Sequence, residues 1–212
     1  MRTQTVKIYK YSELSDKAKE KAIENKRGNQ EYHHADENEA SMRKFESIFP
    51  INVKDYQYGG VQKWITHEFT EEESIGELYG IRLLAYLQNN YHREIFKGKY
   101  YSLWSKKDQN PHYTEKGHAP WGKLKSRHSK IMLGHDGCPF TGYYTDFSIL
   151  KPIYDFIDKP DINTTFKELM EECLDNWIAD CEKDYEYTYE DEYLEEEIEA
   201  NDYEFLETGE SY

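Results

Sequence analysis

Cysteine is scarce, proline is sparse and no long apolar run occurs: the 212 residues hold three Cys and six Pro. Cys138, Cys173 and Cys181 are odd in number and close no short loops, so a disulfide scaffold is excluded and reduced thiols are expected. No stretch approaches the ~20 apolar residues of a membrane span. The opening MRTQTVKIYKY has no apolar run of the secretory kind. The expectation is a cytoplasmic chain with no membrane partner. Phosphate-cradling glycine loops are missing, as are a Gly-x-Ser-x-Gly elbow and a supported Ser-x-x-Lys. Cys138 is followed by Pro139, and a Cys/His pair picked from three Cys and eight His has no specificity. No catalytic residue and no cofactor is expected, and the chain reads as a binder rather than an enzyme.

What is present is aromatic and acidic. Mean hydropathy is only −1.01 and the hydrophobic fraction 37%, yet 20 Tyr, 9 Phe and 4 Trp provide large apolar surfaces. Disordered chains are poor in such rings, so a folded protein with a charged skin is expected. The net charge of −15 is uneven. Residues 182–212 hold 14 acids against one Lys, a net of −13, whereas Lys97 to Lys130 holds nine bases against Asp108 and Glu115.

Hydrophobic periodicity sets the expected elements. Thr5 to Tyr11 alternates as a strand. Ser15 caps a helix that ends near Gly28, and a second helix spans Asp36 to Ile48. Strands at Asn52 to Tyr58 and Val61 to Phe69 flank Gly59-Gly60, a hairpin signal. A helix from Glu71 to Asn90 reads as the most hydrophobic and central one. A turn at Asp136-Gly137 precedes a helix from Ser148 to Ile157. Thr165 and Glu168 form a capping box, and Phe166, Leu169, Met170, Cys173, Leu174, Trp177, Ile178 and Cys181 follow one helical face. Tyr185, Tyr187 and Tyr189 alternate as a short strand, and Glu190 to Glu199 is helical, with Tyr193, Leu194 and Ile198 inward. With no repeat or linker, the fold class is α+β. A single domain over 1–212 is expected, with several amphipathic helices on a small antiparallel sheet, a basic loop-rich insert at 97–137 and an acidic C-terminal segment at 182–212.

Several constellations carry candidate chemistry. His118, His128, His135 and Cys138 fall within 21 residues, but structural zinc sites take two tight pairs and here the first pair is ten apart, so no metal site is expected. Asp136 and Asp146 have no fixed separation that would make them an acid/base pair. In the basic middle, Trp104, Lys106, Lys107, Trp121, Lys123, Lys125 and Arg127 combine charge with rings, as single-strand binders do. The alternative is a solvated loop whose charge answers the acidic end. Glu190, Asp191, Glu192, Glu195, Glu196, Glu197 and Glu199 place seven carboxylates in ten residues. On a helix this is one charge per ~2 Å, close to the ~1.7 Å of duplex DNA. Such a face suits a partner with a basic groove. The alternative is a solvating tail.

YKYSELSDKAKEKAI (Tyr9 to Ile23), CPFTGYYTDFSILKPIYDFI (Cys138 to Ile157) and DYEYTYEDEYLEEEIEANDYEF (Asp184 to Phe205) resemble a family of accessory proteins carried by phages and integrative elements of low-GC Gram-positive bacteria, some labelled antitoxin-like. The resemblance implies a setting in the host cytoplasm where small acidic proteins disarm defences, as anti-CRISPR proteins do. The leading expectation is an inhibitor that binds a host defence protein, such as a Cas nuclease, through the seven carboxylates, with no direct nucleic-acid contact. Two alternatives stay open, a nucleotide sponge or hydrolase using the basic aromatic middle, and an antitoxin masking a toxin. The sequence carries no signature of oligomeric state.

Overall fold

The computed structural model describes residues 6–91, 94, 101–103, 125–127 and 138–212, the two short central segments by their backbone alone. Seven α-helices and three two-stranded antiparallel ladders are present among them, an α+β arrangement. In chain order these are β1 (Tyr9–Lys10), α1 (Asp16–Gly28), α2 (Ala35–Glu46), β2 (Ile51–Gln57), β3 (Trp64–Phe69), α3 (Glu73–Gly76), α4 (Gly80–Asn90), β4 (Tyr101–Leu103), β5 (Lys125–Arg127), α5 (Thr145–Asp158), α6 (Phe166–Tyr187), α7 (Asp191–Ala200) and β6 (Glu204–Phe205).

The main core is organised by α6. Its start is fixed locally: the Glu168 N–H donates to the Thr165 hydroxyl, and the Thr165 N–H donates to the Glu168 carboxylate at 2.8 Å. All eight residues of the apolar stripe are buried, and α5 lies along it with α2 and the β2–β3 hairpin. Trp177, fully enclosed, meets the Tyr56 and Tyr58 rings edge-on and donates its indole N–H to the Asn38 carbonyl at 3.2 Å. Pro152 sits inside α5 and cannot donate to the Ser148 carbonyl. The Asn176 side-chain amide of α6 reaches across and donates to that carbonyl instead, so the proline leaves no buried acceptor bare.

A second cluster holds the chain's two ends together. β1 pairs with β6, and Tyr11, Leu14, Ala18, Ala22 and Ile23 pack against Leu194, Ile198 and Phe205. Gly209 closes this unit at φ +82°, and a Cβ there would fall 2.1 Å from the Ala18 carbonyl oxygen, so no other residue fits.

Three expected elements come out differently. The helix expected over Glu71 to Asn90 breaks into α3 and α4, because Gly80 adopts φ +55° and Tyr79 bridges to Thr165 while the Phe166 N–H takes the Leu78 carbonyl. It is α6, not this segment, that lies at the centre. The Tyr185–Tyr189 strand is instead the end of α6 and the turn after it, where the Tyr185 and Tyr189 rings lie 4.9 Å apart, tilted to one another. The opening strand shortens to Tyr9–Lys10, since its partner β6 offers two residues; Thr5 lies outside the described residues.

Candidate partner-binding face

Helix α7 begins after Glu190, its N-cap, and buries Leu194 and Ile198 against α1. At 3.6 residues per turn the acids divide into three sets around that anchor. On one flank, Arg27 pairs with Asp191 and donates to the Tyr189 carbonyl at 3.0 Å, while the Tyr11 hydroxyl donates to Glu195 at 2.9 Å. On the other flank, Lys26 pairs with Glu197 at 2.8 Å and Gln30 donates to the same carboxylate at 3.0 Å. Burial, and then the Glu195 carboxylate, push the Tyr11 phenol up, so it stays a donor. Burial works against the Glu197 carboxylate, yet the bonds from Lys26 and Gln30 hold it below its ordinary value.

The third set points outward. Glu192, Glu196 and Glu199, spaced four and three apart, lie on adjacent turns away from Leu194 and Ile198, with Glu199 at the edge nearest Tyr11, and all three are exposed. Neither these nor Glu190 has an ion pair or side-chain hydrogen bond among the described residues. Further along, Lys10 answers Asp202 at 3.4 Å and Glu204 at 3.9 Å, and Lys21 answers Glu210 at 2.8 Å.

The seven carboxylates are therefore not one surface, which corrects the charge density read from the sequence. Asp191, Glu195 and Glu197 are paired by the N-terminal helix and Tyr11, Asp191 and Glu195 at the exposed edge of the seam and Glu197 half-buried in it. The outward ridge spans eight residues with three charges, one per ~4 Å, sparser than the duplex spacing of ~1.7 Å. The partners of these three acids lie 164, 184 and 171 residues away in sequence, so no local pattern announced them.

The candidate nucleotide residues Trp104, Lys106, Lys107, Trp121 and Lys123 lie outside the described residues, as do His118, His128, His135, Asp136 and Gly137. Lys125 and Arg127 fall on β5, paired with Leu103 and Tyr101, with their side chains outside the description. Among the described residues no group of three His, Cys, Asp or Glu is placed to hold a metal ion, and no helix is long and apolar enough to cross a membrane. Burial pushes the Cys173 and Cys181 thiols well up, leaving both as unreactive core groups.

Asp146, paired in the sequence reading with Asp136, is fully buried and accepts the N–H groups of Phe140, Thr141 and Gly142 at 2.7 to 2.9 Å, together with the Thr141 hydroxyl. It fills a backbone anion nest from within the chain and supports the start of α5.

One cluster was missed in the sequence. Tyr32, His34, Tyr58, Tyr143, Tyr144 and Tyr185 gather around the Asp184 end of α6, with Tyr32 donating to Asp184 at 2.7 Å. Its members come from four separated segments, and the abundance of tyrosine was the sole signal. No protein-family model, curated protein or solved structure matches this chain.

Proposed function

We propose that the protein acts by binding, with the outward Glu192–Glu196–Glu199 ridge of α7 presented to a cationic groove of a nucleic-acid-binding host defence protein, a Cas nuclease being one such target. The observation that carries this reading is the division of α7 itself: three acids have internal partners, while the ridge acids have none among the described residues. Three unanswered like charges on one helix face cost stability, and a cationic partner would reverse that cost. The ridge spacing favours electrostatic competition for part of a basic channel over full duplex imitation, and the residual field steers encounter. The likeness of three segments to phage accessory proteins supports the setting.

The test immobilises the protein, challenges it with host lysate and elutes along a salt gradient. A nucleic-acid-binding protein that leaves as salt rises, and whose grip on labelled duplex DNA is released by the free protein, is the expected result. The variant with Glu192, Glu196 and Glu199 all changed to Gln should lose that capture and that competition while keeping its fold. Undiminished capture by this variant overturns the reading.

A further inference from the structure

The aromatic cluster at the end of α6 has the composition of a receptor for a cation. Tyr32 and His34 lie edge-on at 5.7 Å, while His34 and Tyr143 at 5.8 Å, and Tyr143 and Tyr144 at 4.8 Å, are tilted to one another. Tyr144 is more than a third exposed and Tyr32, His34 and Tyr143 are half-buried, so the rings reach the surface.

Among the described residues, the charged side chains that act on these rings are carboxylates. Burial and then the carboxylates of Asp184 and Glu37 push the Tyr143 phenol up to about 12. The neighbouring bases are committed elsewhere: Lys183 to Asp180, Lys63 to Glu182, and Arg27 to Asp191.

The cluster is also short of hydrogen-bond donors. Asp184 receives the Tyr32 hydroxyl on Oδ2, and its Oδ1 has no donor among the described residues. Beneath the rings, the Asn38 amide donates to the Tyr32 and Tyr58 hydroxyls at 2.6 and 3.4 Å, while Asn38 Oδ1, fully buried, has no partner among the described residues. Asn38 Oδ1 lies too deep for a partner to reach, so what the cluster offers at the surface is Asp184 Oδ1 and the ring faces, with no cationic donor on them among the described residues.

We propose that Asp184 with the rings of Tyr32, His34, Tyr143 and Tyr144 forms a receptor for an arginine side chain on a basic partner protein, the guanidinium stacking on a ring and donating to Asp184 Oδ1. A nucleotide would bring its phosphates against Asp184 and Glu37, and an apolar group would leave the carboxylate unanswered. A lysine ammonium is more strongly hydrated and cannot stack as a plane; the guanidinium does both jobs with one group. This deepens the binding reading above and rests on it for the cationic nature of the partner, but the two surfaces are separable. Asp184 lies seven residues before α7 begins.

The test is a titration of the full chain with N-acetyl-arginine amide, followed by tyrosine ring NMR, with the neutral isostere N-acetyl-citrulline amide as control. Saturable shifts of Tyr32, Tyr143 and Tyr144 with the arginine probe and not the citrulline probe are expected. Asp184→Asn keeps an acceptor for the Tyr32 hydroxyl, so it should melt like the parent yet bind the probe about tenfold more weakly. Tyr143→Ala should weaken it about threefold. Equal shifts with both probes, no saturation with arginine, or parent-like affinity in Asp184→Asn each overturn the receptor. Glu192, Glu196 and Glu199 changed together to Gln should leave probe binding untouched. If partner capture survives that triple change while Asp184→Asn abolishes it, the ridge reading falls and the receptor stands.

Discussion

Asp146 shows how much one carboxylate can hold. Three consecutive backbone N–H groups and the Thr141 hydroxyl converge on it, and the Ser41 hydroxyl links that Thr141 and Thr145 to α2. Removing the carboxylate leaves these part-buried donors without the acceptor they converge on. Asp146→Ala is therefore expected to cost ~2–4 kcal/mol in urea denaturation, because four hydrogen bonds to one charged group are lost together. Asp146→Asn, which keeps one oxygen for the three N–H groups, should cost ~1–2 kcal/mol. A loss under ~1 kcal/mol for the alanine variant means the 140–142 loop is held by something else. The sequence marked Asp146 as an acid without a fixed partner. Its partners are backbone groups four to six residues upstream, which no side-chain pattern reveals.

At the scale of elements, legibility follows the range of the deciding interaction. Helix α6 was readable because its cap spans three residues and its stripe obeys one period. The break at Gly80 was not, since the Leu78 carbonyl goes to Phe166, far along the chain. The seam between α1 and α7 was equally hidden, and it carries a pH signature. Burial alone would raise the Glu197 carboxyl, but Lys26 and Gln30 hold it below 4.5, so its contribution is present above that value and is lost as pH falls through the lowered folded value. Burial alone would lower Lys26, but its bonds to Glu197 and Tyr203 hold it above 10.5, so its contribution is present below that value and fades as pH rises through the raised one. Acidification below pH 4.5 should therefore loosen α7 before the main core. In NMR the Leu194 and Ile198 methyl signals should change at a pH where the Trp177 indole signal does not. Glu197→Gln should weaken the seam by ~1 kcal/mol at neutral pH and remove its share of the acid transition. Simultaneous loss of both sets of signals in the parent protein would mean the terminal cluster has no separate acid response.

At the scale of the whole molecule, net charge of −15 means that compactness is opposed by self-repulsion. Five acids at the C-terminal end, Asp191, Glu197, Asp202, Glu204 and Glu210, are answered by Lys10, Lys21, Lys26 and Arg27, whose side chains come from the N-terminal segment. The ridge is the part of α7 where repulsion goes unanswered among the described residues. The Glu192–Glu196, Glu195–Glu199 and Glu196–Glu199 spacings each place like charges on adjacent turns, at ~0.2–0.5 kcal/mol apiece. Changing Glu192, Glu196 and Glu199 to Gln breaks all three repulsions and no internal bond, so the triple variant should be more stable by ~1 kcal/mol in low salt. The gain should shrink as salt is raised toward 1 M, where the screening length falls to ~3 Å. Thermal melts of both proteins across a salt series measure it. A variant that melts lower than the parent at every salt concentration would show that the ridge acids serve the fold, and their place on the partner-binding face would then lose its energetic argument.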